Sequence, residues 1–253
     1  MKLTTTPTPG RIARLQSYFR TRVDPMTSLF LVLPLFAIYQ TGTLLMMDCA
    51  NGQCQWNANG VDFLTGNLLA LTGGSRLAYG VIALSAALAL AAASLWARRH
   101  AKLSPKLFVP VLVESAVWAS IVGPLSIVLS HAIGLGRTGG SWVGDIIASC
   151  GAGLHEELVF RAGIFAGLTA LLLRFKVRKV FAVLAALAVS SVLFSLVHHV
   201  GPLGEPFTVQ AFVFRVFMGA LFAGIYRVRG FAIAAWTHCV YDIWVFTGQR
   251  LHW

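Results

Sequence analysis

The residues of this chain that can do chemistry are few and closely spaced. Glu156 and Glu157 are adjacent, Arg161 follows, and all three sit in an otherwise apolar run over 143–173. On a helix, Glu157 and Arg161 are four apart and share a face, whereas Glu156 points about 100° away from Glu157. One acid can pair with the arginine while its neighbour stays free. Two further pairs recur at one-turn spacing in later apolar runs: Phe194 with His198, and His238 with Asp242. An acid, two imidazoles and a second carboxylate on helices that can converge form a set able to move protons or to hold a metal. Ionisable groups inside apolar spans are costly, face the protein interior and are functional-site candidates by default.

The elements that must position these residues are membrane helices. The chain is 57% hydrophobic and 11% charged, with a mean hydropathy of +0.74. That composition excludes an ordinary soluble domain and predicts an all-α, polytopic transmembrane helical bundle of about seven spans, each needing roughly 20 apolar residues. The expected spans are 27–47, 77–97, 107–130, the motif run, 180–197, 207–226 and 231–246. The motif run is longer than a crossing needs, so it is either strongly tilted or broken near Gly163 or Gly167, and a break makes an eighth crossing. Gly123-Pro124 predicts a kink in the third span. The first apolar run is long enough to span and ends in no small-residue cleavage site, so no cleavable signal peptide is expected. Residues 1–26 form a basic arm, expected to end in a short interfacial helix around 12–19. Within the polar loop 48–76, the apolar part 61–71 is too short to cross.

Charge distribution sets the expected orientation. The formal net charge is +11. Alternating the ends of seven spans puts 15 of the 20 Lys+Arg on one side: five in the arm, four after the second span, four after the fourth and two after the sixth. That is the positive-inside pattern, with the N-terminus cytoplasmic. The basic residues are membrane-edge anchors, so the partner they imply is the lipid bilayer and not nucleic acid. Of four cysteines, Cys150 and Cys239 are isolated in apolar runs, while Cys49 and Cys54 share the polar loop. No C-x-x-C occurs, which argues against a structural zinc site. Cys49 and Cys54 form either a disulfide or two thiols, and both readings stand.

The ordered set E-E-x-x-x-R, F-x-x-x-H and H-x-x-x-N/D resembles the CPBP family, the CAAX-processing and bacteriocin-processing intramembrane endopeptidases also called Abi proteins. Here the motifs are Glu156-Glu157 with Arg161, Phe194 with His198, and His238 with Asp242, over 140–247. The resemblance implies a peptidase core at 140–247 and nothing for residues 1–139, where charge and hydropathy alone give the basic cytoplasmic arm 1–26 and the N-terminal transmembrane helices 27–139 with an extracytoplasmic loop 48–76. It implies that Glu156 activates water with His198, that His238 and Asp242 stabilise the oxyanion, and that Glu157 and Arg161 support the site as an ion pair. It implies a glutamic-type peptidase without a metal. Asp242 departs from the asparagine of this motif's best-known members. An ionised Asp cannot donate a hydrogen bond, so Asp242 is either protonated or orients His238. The alternative is catalytic Zn2+ on Glu156, His198 and His238 with water in the fourth position, although no H-E-x-x-H is present. The implied substrate is a membrane-anchored protein or peptide, such as a CAAX tail, a leader or a C-terminal sorting signal. The implied location is a bacterial inner (plasma) membrane, with multiple passes.

Other readings of the same residues stand beside this one. A non-enzymatic immunity protein or a proton-coupled transporter also buries acids and histidines. Transporters usually carry inverted repeats, and this chain shows none. Singly, the Glu156, Glu157 and Arg161 cluster reads as a structural ion cluster, His198 as a helix-end histidine, and His238–Asp242 as an interhelical hydrogen bond. His155 is expected to support the glutamate pair. Glu114 and Arg215 are expected to pair across two spans, or Arg215 to meet a substrate carboxylate.

Overall fold

The computed structural model describes residues 17–50, 53–55, 63–100, 105–133, 141–200, 204 and 206–250. The chain is a polytopic α-helical membrane protein with one short β-hairpin. The elements are α1 (Pro25–Leu31), α2 (Leu33–Met46), β1 (Asp48–Ala50), β2 (Gln53–Gln55), α3 (Phe63–Leu71), α4 (Arg76–His100), α5 (Phe108–Ile133), α6 (Trp142–Glu156), a π-helical segment (Glu157–Phe165), α7 (Ala166–Arg174), α8 (Lys179–Val197), α9 (Val209–Arg229) and α10 (Phe231–Arg250). Among the described residues, four segments are long and apolar enough to cross a membrane: Pro25–Met46, Arg76–Ala93, Lys179–Val197 and Val209–Arg229. Seven crossings are therefore not established by length and hydropathy. The motif run and α10 carry the ionisable site residues, which lowers their hydropathy.

Local chemistry starts and stops these helices where the polar residues lie. Asp24 caps α1, its Oδ1 accepting from Thr27 N at 2.9 Å, with Pro25 in the first turn where its missing N–H costs nothing. Ser141 caps α6 by accepting from Gly144 N at 3.0 Å, and Thr208 caps α9 by accepting from Ala211 N at 3.2 Å. Gly230 separates α9 from α10 at φ +99, where a Cβ would also meet Val23 O at 2.6 Å.

Several expectations change. The motif run is not broken at a glycine; it continues from α6 through the π segment into α7, and the wide winding begins at Glu157. The apolar part of the polar loop becomes α3, about 13 Å long and too short to cross. Cys49 is disulfide-bonded, and the hairpin register pairs it with Cys54. Helix α5 runs on through Pro124. Glu114 pairs with Arg229 and not with Arg215: Nε meets Oε1 at 2.7 Å and NH2 meets Oε2 at 2.9 Å. Arg229 lies at the end of α9, near the start of α5 where Glu114 sits, whereas Arg215 is about four turns away along α9. Arg229 is therefore buried, not a membrane-edge anchor. Residues 12–16 of the expected interfacial helix, Lys2, Arg11, Arg14, Lys102, Arg137, residues 134–140 after the third span, and residues 201–203 and 205 after the fifth lie outside the described residues.

Helix α10 is the hub, packing against α1, α5, α6, α9 and the π segment. Helix α6 packs between α2 and α10, and α8 packs against α9 and the π segment. The buried cluster runs from Leu31 and Leu35 through Ile147 and Phe222 to Ala232 and Ala235.

Candidate active site

The three motifs meet where α6 ends, α8 ends and α10 passes between α6 and α9. Glu156 is the last residue of α6, buried, and its Oε2 stands 3.8 Å from His198 Nε2 and 3.8 Å from His238 Nε2. His198 caps the C-terminus of α8. Its Nδ1 lies 2.7 Å from Phe194 O. A carbonyl only accepts, so Nδ1 carries the hydrogen and a neutral His198 turns the lone pair of Nε2 toward the acid. His238 is held in the same sense by a different group: its Nδ1 lies 2.8 Å from Glu157 Oε1. Asp242 Oδ2 is 3.7 Å from His238 Nε2, beyond hydrogen-bond reach. Arg215 acts on Asp242 as a neighbouring positive charge.

Behind these residues the site is sealed. Glu157 and Arg161 have no solvent exposure, and Arg161 Nε is 3.2 Å from Glu157 Oε2. That contact is a charge pair without hydrogen-bond alignment, since Glu157 Oε2, Arg161 Nε and Arg161 NH1 have no hydrogen-bond partner. The guanidinium instead lies against aromatic faces, 4.4 Å from the Phe194 ring centre and 5.6 Å from that of Phe222, while NH2 reaches Gly219 O at 3.5 Å. In front, His198 is 23% and Asp242 16% exposed.

Residues 138–244 match the Rce1-like family of type II CAAX prenyl endopeptidases. The match covers 107 of the 253 residues, and over that stretch the chain is similar to the CPBP/CAAX protease family. Comparison with curated proteins and with solved structures returned no match. The match supports a CAAX-type protease of the membrane that acts on a membrane-anchored protein.

Within the matched stretch, sequence spacing alone left some residues of the site unnoticed. Phe222 stacks on His238, with centroids 4.5 Å apart and 15° between planes. Ser190 donates to Phe160 O at 2.7 Å, satisfying a carbonyl inside the π segment. Neither carries a sequence signal beyond lying on an apolar helix. His155 bonds Gly151 O through Nδ1 at 2.9 Å and packs edge-on against Tyr39, away from the two catalytic-type imidazoles. For a divalent metal, the donors suit in chemistry but not in spacing: among the described residues no group of three or more His, Cys, Asp or Glu has metal-holding geometry.

Proposed function

We propose that this chain is a CPBP-type protease that hydrolyses a peptide bond in a membrane-anchored protein or peptide, with water activated between Glu156 and His198. The observation that carries this reading is the pair of 3.8 Å separations around Glu156 Oε2. They exceed a direct hydrogen bond and bring both imidazole Nε2 atoms within reach of a water held at the same carboxylate oxygen. Glu156 takes a proton as the water oxygen attacks the scissile carbonyl carbon. That proton passes from Glu156 through His198 Nε2 to the leaving nitrogen, the C–N bond breaks, and a carboxylic acid and an amine result. His238 serves the developing oxyanion as an imidazolium, with Nδ1–H given to Glu157 and Nε2–H to the carbonyl oxygen. Asp242 and Arg215 balance charge beside it. A helical substrate unwinds to present its carbonyl, because a helical backbone shields it.

The proposed arrangement keeps a cytoplasmic N-terminus, a cytoplasmic arm 1–26, N-terminal helices 27–139 and a peptidase core 140–247. It is supported at one end of the bundle, where the arm, the α9–α10 turn and their basic residues meet. The test is a comparison of membrane proteomes carrying the wild-type protein or Glu156→Gln, read by terminal-peptide mass spectrometry. New termini within or beside transmembrane segments appear only with the wild type. Identical terminal peptides in both would sink the reading. A membrane-permeable chelator leaves cleavage unchanged; loss of cleavage, restored by stoichiometric Zn2+, overturns the metal-free chemistry.

A further inference from the structure

Two thiols lie beside the site without a part in its chemistry. Cys150 on α6 and Cys239 on α10 are free, 2% and 1% exposed, with their sulfurs 3.6 Å apart. The helices that carry them touch closely at this level. A Cβ on Gly153 would meet Ala235 O at 2.5 Å and Cys239 N at 2.9 Å. A disulfide needs a sulfur separation of about 2.05 Å, so closure asks for a further approach of roughly 1.5 Å, within reach of side-chain rotation. Cys239 follows His238, and Cys150 lies six residues before Glu156.

We propose that Cys150 and Cys239 form a reversible dithiol–disulfide site that closes the peptidase when oxidised by a small peroxide. Hydrogen peroxide is uncharged and follows the water that the site admits. One thiolate attacks a peroxide oxygen, the O–O bond breaks, and the sulfur becomes a sulfenic acid while hydroxide takes up the proton and leaves as water. The second sulfur then attacks the sulfenic sulfur, the S–O bond breaks and a second water leaves. Two electrons pass from the two thiols to the peroxide, and a dithiol such as dithiothreitol reverses the change. Closure acts on cleavage because Glu156 Oε2 and His238 Nε2 are only 3.8 Å apart. A scissile carbonyl entering beside a water needs α6 and α10 to yield there, and a bond from Cys150 to Cys239 stops them.

The effect on cleavage rests on the proposed function, whereas formation of the bond does not, so the two are read separately. Full-length protein in lipid nanodiscs is treated with hydrogen peroxide, its remaining thiols are alkylated, and it is digested for mass spectrometry. The expected product is a Cys150–Cys239 linked peptide that disappears on reduction and never forms in Cys150→Ala or Cys239→Ala. If both cysteines remain fully alkylatable, or go to sulfinic acid without linking, the site is refuted whatever the enzyme cleaves. Cleavage by the oxidised wild type falls on the order of 100-fold, the scale of a small misplacement of catalytic groups. It returns on reduction and does not fall in Cys150→Ala. A linked protein that cleaves at the reduced rate overturns the closure. A reduced protein that cleaves nothing counts against the proposed function and leaves the linked peptide to decide the thiol site.

Discussion

Arg161 is held by one carboxylate, one carbonyl and a set of aromatic faces, with no water in reach to replace any of them. Glu157 therefore acts in two directions, balancing Arg161 through Oε2 and fixing His238 through Oε1. Removing its charge leaves a buried cation uncompensated, which costs about 3–5 kcal/mol. We expect Glu157→Gln to lower the amount of folded protein in membranes, and the double variant with Arg161→Met to recover part of it without recovering cleavage. Glu156 differs, since no cation depends on it through direct contact. Glu156→Gln should keep normal protein levels while cleavage falls by roughly 10²–10⁴, the usual worth of a positioned base; normal cleavage would show that the acid is not the base. The 4-residue spacing made the Glu157–Arg161 pair legible in the sequence. The bond from Glu157 to His238 was not, because it joins helices 81 positions apart.

At the level of elements, the winding of the motif run matters most. The π segment starts at the residue after Glu156 and spans Arg161, so the two glutamates lie on either side of a change in pitch. π-type windings inside α-helices occur frequently at functional sites. Apolar periodicity cannot disclose such a change in a run that is hydrophobic on nearly every side, and Ser190, which satisfies the Phe160 carbonyl, lies on another helix. Helix α8 was legible to within one residue and α9 to within three, because uniform hydropathy bounded by basic or Gly/Pro-containing turns leaves little freedom. The contact of α6 with α10 gives the next expectation. Gly153→Ala places a methyl against a backbone oxygen that cannot rotate away. It should cost about 1–3 kcal/mol by overpacking and separate Glu156 from His238. Thermal unfolding in detergent together with the cleavage rate checks this, and an unchanged midpoint with full activity would contradict the close approach.

Across the whole molecule, the two ends of the bundle differ. At one end, Arg229 pairs with Glu114 and also donates to Tyr18 O, Phe19 O and Thr21 O at 3.1, 3.1 and 2.5 Å, tying the arm to α5 and α9. Their separation of 115 positions hid this pair from sequence reading. Glu114→Gln should destabilise the fold by about 3–5 kcal/mol, seen as a lower unfolding midpoint, while the surviving protein cleaves normally. In the proposed arrangement, the basic residues make this end the cytoplasmic one. The other end holds the opening of the site. His198 follows the 19 residues of α8, about 28 Å from Lys179 by helical rise, and Asp242 lies one turn outward of His238. The members of the site nearest that end are the exposed ones, whereas Glu157 and Arg161 are closed off. In that arrangement we expect water and an unwound substrate segment to enter from the extracytoplasmic side, which would place the scissile bond in the outer half of the substrate's transmembrane segment and would suit a C-terminal sorting signal better than a cytosolic CAAX tail. Reporter fusions at residues 55, 137 and 203 should all read extracytoplasmic. Mapping the cut on a native substrate by mass spectrometry decides the matter: a scissile bond on the cytoplasmic side of its span would mean that the site is reached from the opposite end.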